Sequence, residues 1–167
     1  DEELESERTE LTKDDVWIVS GGGSGVTAAC VVELCQANPD GKAHFALLGR
    51  TELLDETADW VDWSDEKLNE RKLELREEMI SESEDDKISI VEWNNAWSPY
   101  VKSRDIYSTI NAITVTGNTA EYHTCDVSDA ERLSSIGEEI GDSKGPINGI
   151  IHGAGIEDSK LVGDKDW

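Results

Sequence analysis

Gly21, Gly22, Gly23 and Gly25 stand between the apolar run Val16-Trp17-Ile18-Val19 and a segment of helical spacing that begins near Thr27. A strand, turn and helix of this kind gathers free backbone N–H groups and the positive end of a helix dipole at one point, where a phosphate is the natural occupant. Ser20, Gly21, Gly23, Ser24, Gly25 and Val26 are the turn residues that would surround it. A second apolar run ends in Gly49-Arg50-Thr51. A guanidinium there suits a 2′-phosphate through paired charge-assisted bonds, and no acid is present to take a ribose 2′-hydroxyl instead. Two further run ends carry Asp126-Val127 and Gly153-Ala154-Gly155. Asp126 can accept from the amino group of an adenine while Val127 lines the ring, and the two glycines let backbone pass close to a nicotinamide ribose. The set predicts a site for NADPH in preference to NADH. His152 reads as the end of a strand rather than a catalytic base.

These residues work together only if one sheet presents all four run ends on one side. In an open parallel sheet ligands lie beyond the carboxyl ends of the strands. The spacing predicts strands over 16–19, 44–48, 120–125 and 147–152. The first helix spans 27–37, with Ala28, Val31, Val32 and Cys35 on its apolar face. Asn38-Pro39-Asp40-Gly41 is a turn, which completes a right-handed βαβ unit. From about Ser103, Ile106, Ile110 and Ile113 form a helical stripe that Gly117-Asn118 ends. Ser128 and Glu131 have capping-box spacing ahead of the stripe Leu133, Ile136 and Ile140. The order β-α-β-insertion-α-β-α-β predicts an α/β fold: a Rossmann-type doubly wound parallel sheet over 16–167, preceded by an acidic linker over 1–15.

The insertion, at about 52–99, is highly charged and holds Trp60, Trp63, Trp93 and Trp97. A helix is expected over 64–81 with Leu68, Leu75 and Met79 on one face, and a short strand over 87–93. Anchoring of the insertion on the domain's flank is the expected role of the tryptophans.

Among 167 residues, 37% are hydrophobic, enough for one domain with a proper core. The formal net charge of −23 argues against nucleic acid or an anionic membrane as partner, because both need a basic face. An anionic ligand therefore needs a locally positive site. No apolar run is long enough to span a bilayer, and the acidic N-terminus does not read as a signal peptide. Cys30, Cys35 and Cys125 lack metal-ligand spacing and cannot all pair, which predicts a reduced, cytoplasmic setting; Cys30 and Cys35 read as core residues, and no metal is expected.

In order along the chain, Ser20-Gly21-Gly22-Gly23-Ser24-Gly25-Val26, Leu47-Leu48-Gly49-Arg50-Thr51, Cys125-Asp126-Val127-Ser128-Asp129 and Ile151-His152-Gly153-Ala154-Gly155-Ile156 resemble the short-chain dehydrogenase/reductase family. Specifically they resemble the ketoreductase domains of modular polyketide and fatty-acid synthases. The insertion after Arg50, with Arg104-Asp105-Ile106 and Ala120-Glu121-Tyr122, is most similar to the ketoreductase of polyunsaturated fatty-acid synthases. The resemblance runs from Val16 to Trp167. It implies NADPH as cofactor, a 3-oxoacyl group on an acyl carrier protein as substrate, and neighbouring synthase domains in the same polypeptide. It also implies a catalytic serine, tyrosine and lysine. Tyr100, Tyr107 and Tyr122 all precede the place of the catalytic tyrosine and none begins a Tyr-x-x-x-Lys pair, so the three groups are expected beyond residue 167 and the fold is expected to be C-terminally truncated. Thr27 stands where the family commonly has another glycine. The alternatives are a non-catalytic dinucleotide-binding module and a structural scaffold domain of a multidomain synthase.

Overall fold

The computed structural model describes residues 10–83 and 86–155. Four parallel strands, β1 (Val16–Ser20), β2 (His44–Gly49), β3 (Thr119–Thr124) and β4 (Gly149–His152), form one sheet in the order β3-β2-β1-β4. Val16 pairs with His44, His44 with Thr119, and Trp17 with Gly149. The helices are α1 (Gly25–Gln36), α2 (Asp65–Glu82), α3 (Ile90–Thr114) and α4 (Ala130–Lys144), with a 3₁₀ helix at Asp55–Asp62.

Side chains alternate across the central strands, and both faces are covered. Val19, Phe45 and Leu47 pack with Val31 and Cys35 of α1 and Ile113 of α3. Val16, Ile18, Ala46 and Leu48 face the other way, against Ile136 and Ile140 of α4. The chain runs outward from β1 through β2 to β3, then crosses to place β4 on the other side of β1. This reversal is the doubly wound arrangement, and it opens a crevice beside the end of β1.

Several local expectations are corrected. No strand forms over 87–93: residues 87–89 are coil and α3 begins at Ile90. Ser89 caps that start, accepting from the Glu92 N–H, while the Glu92 carboxylate accepts from the Ser89 N–H. The helix then continues through Pro99 to Thr114, so the stripe expected from Ser103 is the second half of a 25-residue helix. The boundary placed near residue 99 falls inside α3, and the insertion shares this helix with the framework. The cap of α4 is Asp129, which accepts from the Arg132 N–H at 3.0 Å; Ser128 bonds to Asp126 instead. Cys30 is exposed, whereas Cys35 is buried and its thiol is pushed up to about 11 by desolvation. Residues 1–9 of the acidic linker lie outside the described residues, but Leu11 is buried in the α1–α3 side of the core, with its N–H on Asn38 Oδ1.

The helix expected over 64–81 is α2, capped by Ser64. Its outer turns are solvated; the packed part of the insertion is an aromatic stack. Trp60, buried to 3% exposure, stacks on Trp63, Trp97 and Tyr100, with Trp93 beyond Trp97. Trp93, Trp97 and Tyr100 recur at four and three residues, one face of α3. Arg104 closes the stack by donating from Nε to the Trp60 carbonyl at 3.0 Å.

Candidate functional site

At the crevice, the end of β1 is tied to both neighbours. The Gly21 N–H donates to the Leu48 carbonyl at 2.8 Å, and the Gly153 N–H to the Ser20 carbonyl at 2.9 Å. The buried Ser20 hydroxyl lies 2.6 Å from His152 Nδ1 and accepts from the Ala154 N–H at 3.3 Å. Gly21 has φ +68°, and a Cβ on it would stand 2.8 Å from the Gly153 carbonyl group and 2.9 Å from the Ala154 nitrogen. Only glycine allows both that backbone angle and that approach. Thr27 of α1 sits where a Cβ on Gly153 would fall, so its side chain is accommodated because the facing residue is glycine. The threonine at this position thus ties α1 to the turn after β4.

The start of α1 differs from the other helix starts. Side chains of Ser64, Ser89 and Asp129 cap α2, α3 and α4, each with an acid in the first turn. Ser24 makes no side-chain cap on α1, and no acid lies in its first turn. The first-turn N–H groups are left for a partner outside the helix, and the dipole favours an anion there.

The end of β2 is held by β3. The Cys125 N–H donates to the Gly49 carbonyl at 2.8 Å, and the Tyr122 hydroxyl donates to the Thr51 carbonyl at 3.0 Å. The Tyr122 ring covers both Gly49 and Gly23. Beneath Gly23, Thr109 and Ile106 of α3 support the turn; the Thr109 hydroxyl donates to the Gly23 carbonyl. After β3, Asp126 Oδ1 accepts from the Ser128 N–H at 3.0 Å and from its hydroxyl at 2.8 Å. These bonds hold the Asp126 carboxyl below the usual range, and the charge of Arg50 adds to the effect.

Two clefts result, with Arg50 lining both. The first, of about 400 Å³, brings together Gly21, Arg50, Asp126, Val127, Gly153, Ala154 and Gly155 of the predicted residues. Leu48, Gly49, Cys125, Ser128 and His152 also line it and are absent from the predicted set. For His152 the available signal is its position at a strand end. Ser20 lies behind this cleft and Gly23 beneath the turn, both buried, while Ser24, Gly25 and Val26 form the exposed start of α1. The second cleft, of about 740 Å³, lies between Arg50, Thr51, Glu52 and Leu54 on one wall and Asn95, Ser98, Pro99 and Lys102 of α3 on the other. Thr51 therefore belongs to this cleft and not to the first.

Among the described residues, no tyrosine lines either cleft. Tyr100 is in the aromatic stack, Tyr122 is bonded to Thr51, and the Tyr107 phenol is pushed up by desolvation and the Asp55 charge. Among the same residues, no group of three or more His, Cys, Asp or Glu side chains is placed to hold a metal ion, and no helix is long and apolar enough to cross a membrane.

Comparison with known proteins agrees with this geometry. The profile of the KR domain family matches residues 16–166. The chain is 28% identical over 160 residues to a polyunsaturated fatty acid synthase protein of Thraustochytrium sp., an alignment covering 93% of this chain and 6% of that protein. It is 40% identical over 47 residues to polyketide synthase ThaG of Burkholderia thailandensis, covering 28% of this chain and 1% of that one. Among solved structures, an N-terminal ketoreductase from the macrolactin assembly line superposes with a TM-score of 0.56 at 17% identity, over 95% of this chain and 22% of that one. A ketoreductase domain from the bacillaene assembly line gives 0.53 at 20% identity, over 93% and 25%. The chain spans only a small part of each of these proteins. With the glycine turn, the parallel sheet and the family profile coinciding over nearly its whole length, the chain belongs to the KR domain family.

Proposed function

We propose that the first cleft binds NADPH, and that the domain serves as ketoreductase of a modular polyketide or polyunsaturated fatty-acid synthase. Its substrate would be a 3-oxoacyl group on an acyl carrier protein, reduced to 3-hydroxyacyl. The observation that carries this reading is the bare-backbone contact of Gly21 with Gly153 and Ala154, beside a helix start that no side chain caps. A Cβ at Gly21 would disrupt the contact that shapes this cradle, and the N–H groups of α1 are suited to a pyrophosphate. The residues fit the cofactor.

The bound cofactor supplies the hydride that passes to the substrate carbonyl carbon. This chain's own residues bind and orient it. Ser20, Gly21, Gly23, Ser24, Gly25 and Val26 form and support the pyrophosphate turn, and Gly153, Ala154 and Gly155 approach the nicotinamide ribose. Asp126 offers Oδ2 to the adenine amino group, since both of its bonds to Ser128 converge on Oδ1. Val127 lines the ring, and Arg50 with Thr51 receives the 2′-phosphate. Proton donation in such a reductase would fall to a tyrosine assisted by a serine and a lysine, and none of Tyr100, Tyr107 and Tyr122 lines the first cleft. Residues 1–167 alone are therefore expected to show no turnover. The polypeptide links this domain to its neighbours and to the carrier protein. Carrier proteins are usually acidic, and effective concentration would offset repulsion by the −23 chain.

The second reading is a dinucleotide-binding module without catalysis. Incubating the full-length protein with NADPH and a 3-oxoacyl thioester separates the two. Cofactor oxidation matched by 3-hydroxyacyl product supports the reductase; binding of NADPH with no product leaves the module.

A further inference from the structure

We propose that the second cleft takes the 2′-phosphate of the cofactor, with Lys102 of α3 as a second cation facing Arg50. The inference rests on the NADPH reading above and adds to it a specificity residue from the far wall. Arg50 lines both clefts, so an adenosine held in the first cleft meets the second at this side chain. Across from it, Asn95, Ser98, Pro99 and Lys102 recur at helical spacing on the face of α3 that continues into Ile106 and Thr109. Those last two residues support the glycine turn. One helix therefore underlies the pyrophosphate turn and forms the wall of the second cleft.

The opposite wall is pinned to the same helix. Ser103, next to Lys102, accepts from the Leu54 N–H at 2.8 Å and from the Thr57 hydroxyl at 2.7 Å. The loop carrying Arg50, Thr51 and Glu52 is thus held against α3 at Leu54. Charge in the cleft comes from Arg50 and Lys102 against Glu52, which leaves it locally positive on a chain of net charge −23. A dianionic phosphate meets an unfavourable overall field, and a pair of local cations offsets it. Arg104, the neighbouring cation on α3, is committed to the Trp60 carbonyl.

The test uses calorimetric titration of the full-length protein with adenosine 2′,5′-bisphosphate and with 5′-AMP, which differ only in the 2′-phosphate. Lys102→Gln is expected to weaken the bisphosphate about tenfold, the scale of a charged hydrogen bond, and to leave AMP unchanged. Lys102→Arg should retain most of the bisphosphate affinity. Unchanged bisphosphate binding in Lys102→Gln, or an equal loss for both ligands, overturns the proposal. If Arg50→Gln removes the preference for the bisphosphate and Lys102→Gln does not, only this inference fails. If the wild-type protein shows no such preference, the NADPH reading fails with it.

Discussion

The Thr109 hydroxyl donates to the Gly23 carbonyl at 2.9 Å, joining α3 to the glycine turn across 86 positions of the chain. Both residues are buried, and the same hydroxyl lies 3.0 Å from the Asp105 carbonyl one helical turn earlier. Thr109→Val keeps the shape and removes the donor, leaving the Gly23 carbonyl without this partner. Such a loss costs about 1–3 kcal/mol. Denaturant unfolding of the full-length protein should show that loss, and NADPH and NADH should weaken together, because the defect lies in the turn both cofactors share. Selective weakening of NADPH would contradict this account of Thr109.

Gly21→Ala tests the approach of β1 to the turn after β4. The new Cβ would meet the Gly153 carbonyl at 2.8 Å, from a residue at φ +68°. Strain of this kind costs on the order of 1–3 kcal/mol before any contact is relieved. Dinucleotide affinity should fall at least tenfold by fluorescence titration, with thermal stability reduced, as about 1.4 kcal/mol corresponds to each factor of ten. Wild-type affinity in Gly21→Ala would show that the turn does not need its bare contact.

Much of this arrangement is legible in the sequence. Continuous apolar runs mark β1 and β2, because buried parallel strands need no polar alternation, whereas the partly exposed β3 carries Glu121 and His123 and is marked instead by the Asp126 that follows it. What spacing does not show is set by position in three dimensions. Lys87-Ile88-Ser89-Ile90 alternates like a strand, and Pro99 looks like a stop, so a local reading divides α3 in two; the Ser89–Glu92 capping box is the signal that it begins at Ile90. Pro99 is tolerated on an exposed face of a helix that packs along most of its length. Helical spacing does separate Cys35, which shares the buried stripe of Ala28 and Val31, from Cys30, which lies off that stripe and faces solvent. The support of Gly23 by Thr109, and the facing of Arg50 by the wall that carries Lys102, depend on how α3 crosses the sheet ends. No spacing within either segment encodes them.

A pH dependence follows from the far end of the sheet. His44 is buried, with Nδ1 2.9 Å from the Thr119 hydroxyl and Nε2 3.1 Å from Glu121. Burial lowers its value below the usual 6.5; Glu121 opposes that shift, while Lys144 and His123 reinforce it. A histidine lowered in the folded state is protonated first in the unfolded chain as pH falls through 6.5. The unfolded state then binds more protons, so stability is lost on acidification below that value and is fully present above it. Unfolding midpoints of the full-length protein should decline from pH 7 towards pH 5, and His44→Gln should flatten the decline. A slope unaltered by His44→Gln would assign the effect elsewhere.

Arg50 carries the central claim, because it lines both clefts and is the cation proposed to receive a 2′-phosphate. The most direct test is the ratio of kcat/KM for NADPH to that for NADH in the full-length protein with a 3-oxoacyl thioester, measured for wild type and for Arg50→Gln. The account predicts a wild-type ratio well above one that falls by about tenfold or more in the variant, chiefly through KM for NADPH. Equal kcat/KM for the two cofactors in the wild-type protein, or a ratio that Arg50→Gln leaves in place, would contradict it.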